Sequence, residues 1–159
     1  MLIWAFEANN AHCPAKQTGL FSALKAHCAI ADCHNYKILD DSSRNILKKG
    51  DEDHYYNDLP DRRESPDWQG NSWYRFKSPA GTKLSEDPLP IWSCTSYYPS
   101  WIKAKHPIVP GQEISTTACF MDHRGNNCKW SKMIKVKNCV QFYVYFLYKV
   151  GAGERYCPI

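Results

Sequence analysis

The sequence contains no Asn-x-Ser/Thr sequon, so it offers no acceptor for an N-glycan. It has no Cys-x-x-Cys pair, no Gly-x-Ser-x-Gly elbow and no glycine-rich phosphate loop. Those gaps remove the spacing signatures of a structural zinc ribbon, a serine hydrolase and a nucleotide binder. No internal repeat and no low-complexity tract occur. The longest uncharged apolar stretch, Asn138 to Tyr148, has 11 residues. A membrane helix needs about 20. Charge of one sign is also lacking: 20 basic against 16 acidic residues leave +4 and a pI of 8.6. That balance is too mild to mark a nucleic-acid binder, and the composition excludes coiled coil and collagen.

What is present is cysteine and aromatics. There are 8 cysteines, 6 tryptophans and 10 tyrosines in 159 residues. The cysteine count is even, as disulfide pairing requires. With 43% apolar residues the chain is long enough for one domain with a real core. An oxidised, extracellular domain fits these counts best. No signal peptide is visible, because Leu2 to Phe6 is too short for an apolar region and Glu7 ends it. The chain is therefore read as a fragment of a longer secreted or cell-surface protein, or as one with a misassigned start. Residues 1–32, with Cys13 and Cys28, read as an N-terminal appendage or the tail of a preceding module. Residues 33–159 read as the domain proper.

Within the domain, Asp41 is expected to cap a short helix ending at Lys49, with Gly50 just beyond it. Between Asp40 and Asp67 there are nine acidic and five basic residues. With Pro60, Pro66 and Gly70, this is a long surface loop; Asp51, Glu52 and Asp53 are its candidate cation or partner site, although the spacing of a calcium loop is absent. From Ser72 the chain reads as β. Expected strands are Ser72–Lys77, Pro90–Ser96, Ile114–Met121, Trp130–Asn138 and Cys139–Lys149. Ile134 and Val136 alternate with Lys135 and Lys137, which predicts one wet face. Val140 to Val150 is apolar on both faces, which predicts a central strand. Lys129, Lys132, Lys135 and Lys137 are either a surface for an acidic partner or gatekeepers on a strand edge.

Chemistry is sparse. His27, Cys28, Cys33 and His34 could supply zinc ligands, but no second close pair follows. Glu113, Asp122 and His123 could be drawn as an acid–base set; the run from His123 to Asn127 reads better as a turn. No catalytic residue, cofactor or metal is expected. Trp73, Tyr74, Trp92, Tyr97, Tyr98, Trp101 and Trp130 could each stack on a ligand, with core packing as the duller role. Tyr97, Tyr98 and Trp101 sit among turn residues and are the candidate ligand-binding surface.

Several ordered stretches carry a resemblance. They are Cys33-His34-Asn35-Tyr36 with Leu39-Asp40-Asp41, Trp73-Tyr74-Arg75-Phe76, Pro99-x-Trp101 and His106-Pro107. Then come Ala118-Cys119, Cys128-x-Trp130, Val136-Lys137-x-Cys139, Tyr143-Val144-Tyr145 and Tyr156-Cys157. In this order they resemble the cysteine-rich (eight- or ten-cysteine) domain of uromodulin-like extracellular proteins. The family has four further cysteines, which would fall near Ser65–Gly70, Asp87-Pro88, Asn127 and Gly151–Gly153. They pair with one another in the family, so their joint absence orphans no thiol. The resemblance implies the bridges Cys33–Cys139, Cys94–Cys157 and Cys119–Cys128, leaving Cys13 for Cys28. It also implies a non-catalytic domain. The family's glycan site corresponds to Phe146 and Tyr148 here, so a glycan-decoy role does not carry over.

The fold expected is mainly β, or α+β if the short helix is counted: a small disulfide-stabilised antiparallel sheet domain. The function expected is a structural or adhesive interaction module, binding an extracellular protein or glycan, with no nucleic acid and no membrane insertion. The alternatives are a glycan-binding domain using Tyr97, Tyr98 and Trp101, and a zinc-binding intracellular protein.

Overall fold

The computed structural model describes residues 31–51, 53–54 and 68–159. The expected Cys13–Cys28 bridge, the appendage up to residue 30 and Glu52 lie outside these residues. The strands are β1 (Lys37–Leu39), β2 (Ser72–Phe76), β3 (Tyr98–Ile102), β4 (Glu113–Phe120), β5 (Trp130–Asn138), β6 (Tyr143–Leu147) and β7 (Glu154–Arg155). They form one seven-stranded sheet in the order β1-β2-β6-β5-β4-β3-β7. The mainly β architecture expected from sequence holds.

The middle of the sheet is antiparallel throughout, from β2 across β6, β5 and β4 to β3. Its longest ladder joins β4 to β5 over eight register pairs, from Glu113 opposite Lys137 to Phe120 opposite Trp130. Asp122 closes this hairpin: its carboxylate accepts from the Arg124 and Asn126 amides, at 2.9 and 3.1 Å. Gly125 turns the chain with φ of +85°, a region that favours glycine.

Both outermost pairings are parallel, not antiparallel: β1 runs with β2, and β7 with β3. Each pairs strands far apart in sequence, as a parallel crossover requires. They are short, with three and two register pairs. Nothing in a three-residue run such as Lys37–Leu39 announces a strand.

One face of the sheet carries the main core. Leu39, Tyr74, Phe76, Ile102, Ala118, Phe120, Ile134, Val136, Tyr145 and Leu147 are buried there, covered by Trp68, Leu84, Val150 and Tyr156. The side chains alternate across the pleat, so the other face carries Trp73, Thr117, Met133, Lys135 and Phe146. Met133 on that face is 57% exposed.

Four local expectations are corrected. Residues 41–49 form no α-helix. Asp41 does cap, accepting from the Ser43 amide at 2.9 Å, but the element is a single 3-10 turn, Ser42–Arg44. Serine and asparagine favour turns over helix interiors, and Asn45 accepts from the Leu47 amide instead. Lys49 then bridges Ser93 in extended form.

Residues 90–96 form turns rather than a strand. Trp92, Cys94 and Thr95 lie at φ of +64°, +50° and +50°. A left-handed non-glycine residue costs about 1 kcal/mol or more. The bend brings Cys94 to Cys157, and the Cys94 carbonyl accepts from Arg155 Nη1 at 2.9 Å.

The Cys139–Lys149 run is a strand only over β6, because Cys139 to Phe142 turns the chain, with Val140 at φ of +72°. It lies inside the sheet, as expected of a run apolar on both faces. Lys137 does not join the wet face. It is 4% exposed, whereas Lys129, Lys132 and Lys135 are exposed. β5 is the central strand, so these lysines guard no edge.

Candidate functional site

Three disulfides are present, and two sit at the parallel ends of the sheet. Cys33 lies just before β1 and bonds Cys139, just after β5. Cys94 lies just before β3 and bonds Cys157, just after β7. The third, Cys119–Cys128, spans nine residues within the β4–β5 hairpin. In the chain-entropy picture, separations of 106, 63 and 9 residues stabilise by about 4.8, 4.3 and 2.6 kcal/mol.

Polar groups reinforce the β7 end. Arg155 is fully buried; it donates to the Cys94 carbonyl, to Thr95 Oγ1 at 2.8 Å and to Ser43 Oγ at 2.9 Å. Asp41 lies 3.6 Å from the same guanidinium. The Tyr98 amide donates to the Gly153 carbonyl, and Ser96 Oγ does the same.

An aromatic cluster lies at this end. Tyr97 contacts Trp92 and Tyr98 at ring distances of 4.7 and 4.5 Å, and His123 meets Tyr97 edge-on at 5.5 Å. Tyr98 reaches Trp130 at 4.4 Å. Gly153 is needed beside it: a Cβ there would stand 3.0 Å from the Tyr98 ring. Trp130 is 36% exposed, and Lys129 Nζ lies 4.5 Å from its ring centre. Trp101 is not part of this surface. It lies three residues from Tyr98 on β3 and so projects from the opposite face. There it packs against Leu89, Cys94, Met121 and Cys157, and its Nε1 donates to the Asn127 carbonyl at 2.7 Å.

The acid–base set is dispersed. Glu113 pairs with Lys135 at 3.2 Å, at the far end of β4 from Asp122. Lys129 and two backbone amides hold Asp122 below its ordinary pKa, with the lysine contributing most. Cys33 is consumed by its disulfide, which removes one of the four candidate zinc ligands. His27 and Cys28 lie outside the described residues. Asp51 accepts from the Asp53 and His54 amides and lies 3.1 Å from His54 Nδ1, so it closes a turn.

One titratable chain left no sequence signal. His106 is 6% exposed; its Nδ1 lies 2.6 Å from Glu86 Oε1, and its Nε2 lies 2.7 Å from Tyr145 Oη. A carboxylate can only accept, so Nδ1 carries the proton and Nε2 accepts from the Tyr145 hydroxyl. That hydroxyl accepts from the Leu84 amide at 3.1 Å. The His106 amide donates to Glu86 as well, which does most to hold Glu86 at a pKa of about 2. Burial pushes His106 down. Tyr145 is wholly buried, so the arrangement resembles a catalytic relay but has no room for a substrate at its reactive end.

The family model described as the uromodulin-like, eight-cysteine domain matches residues 74–158. The pancreatic secretory granule membrane major glycoprotein GP2 of Rattus norvegicus is 31% identical over 130 residues, covering 79% of this chain and 22% of that protein. GP2 of Canis lupus familiaris is 29% identical over 127 residues, covering 79% and 23%. Uromodulin of Rattus norvegicus is 38% identical over 80 residues, covering 48% and 12%. The chain thus spans less than a quarter of the length of these relatives.

Proposed function

The chain belongs to the family of uromodulin-like eight-cysteine domains, and on that premise we propose that it is a non-catalytic structural or adhesive module of a secreted or cell-surface protein. The family's extracellular setting and the disulfides agree. Among the described residues, no helix is long and apolar enough to cross a membrane. The module is residues 33–159, with residues 1–32 as its appendage. The observation that carries the reading is the disulfide pinning of both outer strands. It favours a rigid body that presents surfaces over one that closes on a substrate. The burial of the Glu86–His106–Tyr145 chain supports the absence of catalysis. The aromatic end around Trp130 is the contact surface, and an extracellular protein or glycan is its partner.

The test is a titration of labelled, disulfide-intact protein onto intact epithelial cells. Saturable binding that disappears on reduction and weakens several-fold in Trp130→Ala is expected. Non-saturable uptake, or binding indifferent to reduction, would reject the reading. A second reading, glycan recognition, draws on the Tyr97, Tyr98 and Trp130 rings, since exposed aromatic faces stack on sugars. Prior removal of cell-surface glycans abolishes binding on that reading and leaves it intact if the partner is protein.

A further inference from the structure

A second surface lies far from the aromatic end, where the sheet opens between β2 and β6. Their ladder ends at the Tyr74–Tyr145 pair. Beyond it, Arg75 and Lys77 stand on one side and Gln141 and Phe142 on the other, with Thr82 and Lys83 completing the rim. The cleft has a volume of about 200 Å³. Three of its side chains are cations and none is a carboxylate.

Arg75 is the informative member. Its guanidinium lies flat against Phe142, 3.7 Å from the ring centre, and Nη1 donates to the neutral Tyr36 hydroxyl at 3.1 Å. Its Nε is buried and has no partner. Among the described residues, no carboxylate lies within 4 Å of Arg75, Lys77 or Lys83. Elsewhere in the molecule partly buried charge is matched, as Glu86 is by Lys105 and Asp122 by Lys129. A partly buried guanidinium with only a phenol and a ring for company is unfavourable unless something anionic completes it.

We propose that this cleft binds an oxyanion carried on a sugar ring, a sulfated or carboxylated saccharide. Arg75 fixes the anion as a planar fork, and Lys77 and Lys83 add charge from the rim. Phe142 offers an apolar wall to the ring. Thr82 and Gln141 offer neutral donors and acceptors for hydroxyls beside the anion. The volume suits one ring-sized group, not a length of acidic peptide. The inference goes beyond the aromatic surface and rests only on the domain being extracellular, where such saccharides are encountered.

The experiment is a titration of the disulfide-intact chain with a trisulfated heparin disaccharide, its unsulfated counterpart and a hexaglutamate peptide. It is followed by NMR at the Arg75 Nε–H and the Gln141 side-chain amide, at about 0.05 M and 0.5 M salt. The sulfated disaccharide is expected to shift both signals and to weaken at high salt. The rim variant Lys77→Gln/Lys83→Gln keeps the fold, because both side chains lie at the surface, and should bind about tenfold more weakly. Arg75→Lys keeps the charge and loses the fork, so it should also weaken binding. Lys132→Gln/Lys135→Gln, on the outer face of β5, is the charge control and should bind as the unaltered chain does. Trp130→Ala should leave the disaccharide titration unchanged, so failure at the cleft and failure at the aromatic end are read separately. Three outcomes overturn the proposal: no shift at either signal, equal loss in the β5 control, or hexaglutamate binding as tightly as the disaccharide.

Discussion

The middle of the sheet and its two ends are held by different means. In the middle, β4 and β5 are neighbours in sequence and zip over eight pairs, so closing the hairpin brings together strands that are already near. At the ends, β1 and β7 contribute three- and two-residue pairings to strands far away in the chain. A few parallel bonds cannot offset the entropy of ordering such long connections. Covalent bonds supply the difference, one beside each terminal strand. The consequence is functional: a sheet whose edges cannot fray gives its surfaces a fixed shape, and the contacts it makes need no prior ordering.

That division predicts a ranking. Replacing Cys94 and Cys157 by alanine should be the most damaging change. It removes about 4 kcal/mol of loop closure and leaves a void among Leu89, Met121 and Ile46 that costs roughly 1–3 kcal/mol more. Denaturant titration should show the full loss, and hydrogen exchange should show β7 opening first. Cys33→Ala/Cys139→Ala should cost about 4–5 kcal/mol and open β1, with the β4–β5 amides still protected. Cys119→Ala/Cys128→Ala should cost least, about 2–3 kcal/mol, because the hairpin around it is already zipped. If this variant proved as unstable as the first two, the contrast between middle and ends would be wrong.

The same contrast explains what could be read from sequence. Ser72–Phe76, Glu113–Phe120 and Trp130–Asn138 were legible because period-two patterning and turn residues bound them. β1 and β7 were not, since a short strand that depends on distant partners leaves no local pattern. The 90–96 segment misled for a related reason: its aromatics suit a strand, yet a disulfide and Arg155 pull Cys94 into the left-handed region. Trp101 looked like a partner for Tyr98 because both lie near turns. Once β3 is placed at Tyr98–Ile102, their spacing puts them on opposite faces. The Arg75 cleft and the Glu86–His106–Tyr145 chain join residues scattered over the sequence, so only the fold could assemble them.

Acid should strike the middle of the sheet, where that buried chain ties Tyr145 on β6 to the 84–106 segment. Tyr145→Phe removes the hydroxyl that serves both His106 and the Leu84 amide, and should cost about 1–3 kcal/mol in denaturant titration. The pH response has a definite sign. His106 faces Glu86, Lys83, Lys105, Tyr143 and Tyr145, and burial holds its pKa below the ordinary 6.5. The unfolded chain therefore takes up the proton first as pH falls, so this contribution is intact above pH 6.5 and is lost below it. Protonation also sets an Nε2–H against the Tyr145 hydroxyl, which loses its acceptor. Glu86 acts with the same sign lower down, from 4.5 toward about 2. Glu154, raised by burial, acts with the opposite sign and offsets part of the loss. The melting temperature should be flat above pH 7, fall gently below 6.5 and steepen below 4.5. In His106→Gln the first fall should vanish and the second remain. A first fall that persisted in that variant would move the acid sensitivity away from this chain.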